Sequence, residues 1–369
     1  MVRLGIVGIG TIATDYIELI AQGRICGLEL AALCSRREQK VTELKEKFGL
    51  KARYFSDYAQ MLASGCIDAV LICTPHGEHP RMAKMAAEAG IHILVEKPVG
   101  IYEKEVEDVL KCLSRSPELI CGVMYNRRAS KAYRFVKKYL SETGIGKLVR
   151  CTWIITDLYR TEAYYASGSW RGSWGSEGGG ILMTQASHQL DLMQWLCGMP
   201  AMVMARCSTV DRPIQVENEA ELFLEYENGA HGHFLASAHE CPGTNRLEIC
   251  GTKGRITVTE DSQVEILRMD ADEREHAKLC RDSFTKIGGA VERYLFDDSD
   301  NKIQQAATIQ NFIDAVLGKA DIQCSLKDGL GSLQIIHGAY ISSWLNQPVR
   351  LPVSDEIFSE MIAQKEDLK

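Results

Sequence analysis

Over the first 124 residues, short apolar runs alternate with amphipathic stretches, and that alternation limits the fold more than any other feature of the chain. The apolar runs lie at 4–7, 28–34, 69–73, 91–95 and 119–124 and have strand length. The stretches between them, at 11–21, 38–48, 57–63, 79–89 and 103–113, repeat apolar positions at helical spacing. Strands separated by helices are joined by right-handed crossovers, and the result is a parallel sheet covered on both faces. The expected unit is a doubly wound α/β domain spanning 1–124.

The pattern then changes. A basic helix at 130–140 ends in Gly144-Ile145-Gly146, and a strand follows at 147–158. A Gly- and Ser-rich loop at 159–179 carries Tyr159, Tyr164, Tyr165, Trp170 and Trp174, and a helix is expected over 180–196. Strand patterns at 202–210, 220–226, 230–239, 246–250, 255–259 and 263–267 follow one another without helices, with turns at Glu227-Asn228-Gly229 and Gly251-Thr252-Lys253-Gly254. Neighbouring strands of this kind build an α+β domain with a large open mixed or antiparallel sheet, here assigned to 125–369. Residues 270–300 show no clear period, and helices at 303–317 and 326–345 close the pattern.

Composition narrows the function classes. The net charge is −7, no stretch is strongly basic, and nucleic acid is not an expected partner. No apolar run approaches the ~18–20 residues of a membrane span, and the N-terminus runs directly into a strand without a signal-peptide pattern. The 13 cysteines are odd in number and scattered, with Cys34, Cys73, Cys121 and Cys151 inside apolar patterns. They read as buried thiols in a reducing cytoplasm, and no metal site is expected.

Gly8-Ile9-Gly10-Thr11-Ile12-Ala13 reads G-x-G-x-x-A between the first strand and the first helix, the context in which this pattern binds a dinucleotide. Gly8 permits the tight turn, Gly10 lets the backbone approach a pyrophosphate, and Ala13 allows close helix–strand packing. Thr11 and Ile12 open the helix, whose N-terminal N–H groups face the phosphates. After the second strand comes Ser35-Arg36-Arg37, where an NAD site usually carries an acidic residue. Ser35 can hydrogen-bond a ribose hydroxyl, and Arg36 or Arg37 can pair with a 2′-phosphate, so both NAD and NADP remain open with a lean to NADP. Thr74, Pro75 and His76 follow the strand at 69–73 and are expected at the same crevice. His79 reads as a helix-start residue. Glu96-Lys97-Pro98 follows the strand at 91–95, which puts the Lys97 amine at a strand carboxyl end, where it can polarise a carbonyl or help deprotonate a hydroxyl.

The ordered set G-x-G-x-x-A at 8–13, Thr74-Pro75 with His79, Glu96-Lys97-Pro98, Asn126-Arg127-Arg128, Trp170-Arg171-Gly172, and Gly178-Gly179-Gly180 followed by His188 and Asp191 resembles the Gfo/Idh/MocA oxidoreductase family, the relatives of glucose–fructose oxidoreductase and inositol dehydrogenase. The resemblance covers nearly the whole chain. It implies an N-terminal Rossmann domain and a C-terminal domain carrying the substrate site on an open sheet, often with a homo-oligomer interface on that sheet. It also implies hydride exchange between a nicotinamide and a secondary alcohol of a sugar, glycoside or cyclitol.

Within that resemblance Lys97 and His188 are the expected catalytic pair, and Glu96 belongs with the cofactor residues. Thr184, His188 and Asp191 are spaced i, i+4, i+7 and are expected on one helical face, with Asp191 structural. Many relatives have Asp where this chain has Thr184, and its absence leaves His188 nearer an ordinary imidazole pKa of about 6.5 or dependent on another partner. Tyr125, Asn126, Tyr164, Trp170, Arg171, Thr184 and His188 form the expected substrate set, since aromatic faces stack on sugar C–H surfaces and polar groups bond the hydroxyls. Three activities stay open. One is a sugar dehydrogenase. Another is a glycoside-cleaving enzyme that works through a transient 3-keto sugar with retained NAD(H), for which Tyr125, Tyr164, Tyr165 or His76 would be the extra base. The third is a non-catalytic nucleotide-dependent sensor.

Overall fold

The computed structural model describes residues 1–168 and 170–366 and divides into two compact units. The first comprises Met1–Ala129, Ser176–Gly178 and Asp300–Leu333; the second comprises Ser130–Gly175, Gly179–Ser299 and the chain from Gln334 onward. No helix among the described residues is long and apolar enough to cross a membrane.

The first unit is built on a parallel sheet of β1 (Val2–Val7), β2 (Leu28–Cys34), β3 (Arg53–Phe55), β4 (Ala69–Ile72), β5 (His92–Val95) and β6 (Cys121–Val123). Their spatial order is β3-β2-β1-β4-β5-β6. The chain winds outward from β1 to β3 and then restarts at β4 on the other side. The switch point therefore lies between the carboxyl ends of β1 and β4, where doubly wound sheets bind ligands. Register aligns these ends: Val7 pairs with Ile72, and Ile72 pairs with Val95. Gly8, Cys73 and Glu96 thus leave the sheet at one level. The helices at Thr11–Ala21, Glu38–Phe48 and Glu103–Leu113 have the bounds their periodicity predicts. The β3 strand is absent from the sequence reading because three edge residues are too few to show a period of two.

The assignment of all of 125–369 to the second domain is corrected. The helix Asn301–Val316 buries Ile309, Phe312 and Ile313 in the same core as Leu4, Ile6, Ala13 and Ile17 of the first unit. Its apolar face finds its partner almost three hundred residues upstream, a pairing no local pattern encodes. Phe312 is fully buried, so Phe312→Ala is expected to destabilise the first unit by about 3–5 kcal/mol. A guanidinium denaturation curve checks this, and a midpoint equal to the wild type's would contradict the packing described.

The second unit carries a nine-stranded mixed sheet. Its strands are β7 (Leu148–Ile155), β8 (Met202–Ser208), β9 (Glu219–Glu225), β10 (His231–Ser237), β11 (Asn245–Gly251), β12 (Gly254–Thr259), β13 (Gln263–Met269), β14 (Gly289–Leu295) and β15 (Val349–Arg350). They lie in the order β14-β13-β12-β11-β7-β10-β9-β8-β15. Only β7 and β10 pair in parallel; the other pairs are antiparallel, and the two expected hairpins are present as β9–β10 and β11–β12. The unpatterned stretch 270–300 contains a helix, Glu273–Leu279, and the edge strand β14, most of whose residues are exposed and so lack an apolar signature. A further helix at Asp355–Glu366 follows the two expected near the C-terminus. All thirteen cysteines are free thiols, with Cys34, Cys121 and Cys151 buried.

Candidate functional site

The cofactor half is contained in the first unit. Gly8 has φ +85°, and a Cβ there would sit 2.7 Å from the Cys73 carbonyl and the Thr74 amide. Only glycine allows β1 to turn against β4 at this point. Gly10 meets nothing nearer than 4.0 Å, so its surface is open backbone. It caps the helix Thr11–Ala21 without a side-chain hydrogen bond, which leaves the first-turn N–H groups of Thr11 and Ile12 to an external acceptor. Ala13 is fully buried at the helix–strand contact. These features fit a dinucleotide pyrophosphate. Ser35 is half-buried and its Oγ accepts from Arg37 N at 3.1 Å, while Arg36 and Arg37 are exposed at the end of β2.

The loop after β5 is held from two sides. Glu96 is buried; Tyr16 OH donates to its Oε1, and Lys97 N donates to its Oε2 at 3.1 Å. Burial pushes the Glu96 carboxyl up, and the Tyr16 bond and the Lys97 charge pull the other way. His79 is fully buried, with Nδ1 2.8 Å from Pro98 O and Nε2 2.7 Å from Thr74 O. It therefore ties the loop after β4 to the loop after β5, more than its reading as a helix start suggested. Two carbonyls cannot donate, so both bonds together need a doubly protonated ring. Burial pushes the His79 pKa down, against the charge that both bonds together need, and the bonds to Pro98 O and Thr74 O pull it back up. Lys97 is half-buried between these anchors. Thr74 and His76 are half-buried and Pro75 is exposed; His76 Nδ1 lies 3.3 Å from Glu177 O.

Two residues of the expected substrate set, Tyr125 and Asn126, lie in the first unit. Tyr125 is buried with its hydroxyl 2.8 Å from Ser332 Oγ, and Asn126 is buried with Nδ2 2.7 Å from Asn301 Oδ1. These polar ends meet the segment 300–333, whose return to the first unit the sequence reading had not foreseen.

Tyr164, Trp170, Arg171 and Thr184, also expected to bind substrate, come together in the second unit. Arg171 donates to Tyr164 OH at 2.6 Å, and its guanidinium lies 4.3 Å from the Tyr164 ring and 4.2 Å from the Trp170 ring. Tyr164 OH is 3.0 Å from the Gln185 amide, which also meets the Thr184 hydroxyl, itself 2.6 Å from Gly180 O. Thr184 has one hydroxyl proton. If that proton goes to Gly180 O, the Gln185 amide must turn its nitrogen to Thr184 and its oxygen to Tyr164. The hydroxyls of Tyr164 and Thr184 then each donate one bond and accept one. Gln185 had no sequence signal apart from its neighbour Thr184.

The expected helix over 180–196 is broken. A short helix, Ile181–Thr184, is followed by a wide turn in which Ala186 N reaches Ile181 O at 2.8 Å, five residues back; a second helix runs from Ser187 to Cys197. The extra residue in the turn takes His188 off the face that uniform spacing gives it relative to Thr184. Asp191 is fully buried and accepts from Gln194 Nε2 at 3.2 Å. Glu217, just before β9, supports the start of this segment. Its Oε2 accepts from Gly180 N at 2.8 Å, and its Oε1 accepts from Leu182 N at 3.0 Å and from Tyr340 OH at 2.8 Å. The glycines make this approach possible: a Cβ on Gly180 would lie 1.8 Å from Glu217 O, and one on Gly179 would lie 2.1 Å from Tyr340 Oη.

Residues 2–125 match an oxidoreductase family described as an NAD-binding Rossmann fold, and residues 133–257 match the GFO/IDH/MocA C-terminal domain. Levoglucosan dehydrogenase of Pseudarthrobacter phenanthrenivorans is 28% identical over 83% of this chain and 86% of its own. Myo-inositol 2-dehydrogenase of Thermotoga maritima is 27% identical over 69% of this chain and 74% of its own. Among solved structures, the WlbA dehydrogenase of Bordetella pertussis in complex with NADH and UDP-GlcNAcA is similar with a TM-score of 0.77 at 26% identity, covering 96% of this chain and 99% of that one.

Proposed function

Because the chain belongs to the GFO/IDH/MocA oxidoreductase family and carries its NAD-binding Rossmann domain, we propose that it oxidises a secondary alcohol of a sugar, glycoside or cyclitol, or reduces the matching ketone. Oxidation removes a hydride from the carbinol carbon and a proton from its hydroxyl. The nicotinamide supplies the hydride chemistry when bound. Lys97 holds and polarises the alcohol oxygen, and the imidazole of His188 takes the hydroxyl proton and returns it in the reverse direction. Trp170, Arg171, Tyr164 and Thr184 bind the polyol, with Gln185 joining them. The names of the relatives support a polyol substrate.

The observation that carries this reading is the anchored Lys97 loop, which leaves the sheet at the level of Gly8 and Thr74. For the cofactor, Ser35 with Arg36 and Arg37 favours acceptance of a 2′-phosphate, so NADPH is expected to bind at least as tightly as NADH.

The test is a screen of myo-inositol, levoglucosan, free hexoses and aryl glucosides with NAD and NADP, after identification of any cofactor retained through purification. Stoichiometric appearance of reduced cofactor is the expected result. His188→Ala is expected to lower kcat by roughly 10²–10⁴-fold while cofactor affinity stays within about three-fold. Release of aglycone without reduced cofactor would replace this reading with the redox-neutral cleavage. Cofactor binding without turnover of any polyol would favour the sensor.

A further inference from the structure

Glu217 is a buried carboxyl that the chemistry above leaves unused. It is 3% exposed, yet it makes three side-chain hydrogen bonds, and its own carbonyl accepts from Ile181 N at 2.9 Å. Three of its four partners are successive backbone N–H groups, at Gly180, Ile181 and Leu182, which open the segment leading to His188. A helix start leaves such groups without intrahelical acceptors, and a carboxylate satisfies them with charge-assisted bonds. Its place is fixed from behind: Asn218 is fully buried and bonds Val210 through both its Oδ1, at 2.7 Å, and its Nδ2, at 2.8 Å.

We propose that Glu217 is a positioning residue for the alcohol–ketone reaction, its ionised carboxylate holding the turn 180–186 in the register that presents Thr184 and His188 to the substrate. This rests on the reading that His188 moves the hydroxyl proton. All three side-chain partners are donors, so the ionised form alone accepts from all of them. A protonated carboxyl must direct its O–H to Tyr340 Oη, since neither amide can accept, and the cap loosens.

The titratable groups facing Glu217 are Tyr340, from the helix Leu326–Leu345, and Cys207, from β8. Burial pushes the Glu217 carboxyl up to about 7, against the donors at Leu182, Tyr340 and Gly180 that pull it down. The protonated, loosened form accumulates as pH falls through that value, so kcat is expected to fall on the acid side of about 7.

The experiment compares pH–rate profiles of the wild type, Glu217→Gln and Tyr340→Phe, using whichever polyol of the screen turns over. Infrared spectra of the same proteins follow the protonated-carboxyl band. Glu217→Gln is expected to lose kcat by roughly 10–100-fold with little change in KM, to lose the carboxyl band, and to keep only the part of the acid limb that belongs to His188. Tyr340→Phe removes one donor and leaves the burial, so the limb and the band are expected to move together to higher pH by roughly half to one unit. An acid limb unmoved in Tyr340→Phe, or wild-type kcat in Glu217→Gln, overturns the proposal. The Tyr340→Phe arm stands even if Glu217→Gln does not fold. A wild type without redox turnover, or an active His188→Ala, would instead bring down the underlying assignment.

Discussion

Lys97→Met is expected to lower kcat by roughly 10²–10⁴-fold, the usual worth of a positioned acid–base group, with NADH affinity held within about three-fold. Methionine keeps the unbranched side chain and removes only the ammonium. The loop is also anchored through groups other than that ammonium: Glu96 bonds the backbone N–H of Lys97, Tyr16 fixes Glu96, and His79 reaches the Pro98 carbonyl. A large loss of kcat without loss of cofactor therefore isolates the amine's chemistry from the loop's architecture. Pre-steady-state reduction of bound NAD measures the step directly. A rate within a few-fold of wild type would remove Lys97 from the reaction.

The two glycines of the phosphate turn are expected to fail in different ways. Gly8→Ala puts a Cβ 2.7 Å from the Cys73–Thr74 peptide at φ +85°, so strain and collision fall on the sheet itself. Its folding stability is expected to drop by roughly 2–4 kcal/mol, with cofactor binding lost alongside. Gly10→Val points into open space, since the nearest atom to a Cβ there is 4.0 Å away. Stability is expected to hold, while NADH binding weakens roughly 10–100-fold because the side chain fills the approach to the pyrophosphate. Calorimetric titration and chemical denaturation of the two variants separate the effects. Equal behaviour of the two would mean that the turn does not face the dinucleotide.

The parts of the site legible in the sequence are those whose signal is local. A glycine needed for a positive φ, a helix start after a strand, and a lysine one residue beyond an apolar run all announce themselves within a few positions. Tyr125 and Asn126 follow β6 and read as crevice-facing, while the partners of their polar ends, Ser332 and Asn301, lie about two hundred residues downstream and leave no local signal. Glu217 has no sequence signal because a single acidic residue before a strand has no pattern; the three donors to its carboxylate are the backbone N–H groups of Gly180 and Leu182 and the Tyr340 hydroxyl. The face shared by Thr184 and His188 was drawn with a uniform helical period, which the wide turn at Ala186 breaks.

By itself the sequence determined the doubly wound first sheet, the glycine turn at its switch point, the antiparallel grammar of the second sheet and the family to which the motifs belong. These follow from backbone sterics and from apolar periodicity, which act over a few residues. Only the tertiary structure decided that 300–333 returns to the first core, that Tyr16 and His79 brace the Lys97 loop, and that a buried carboxylate caps the segment bearing His188. Those choices depend on which distant groups must be satisfied when water is excluded, and that demand exists only after the chain has packed.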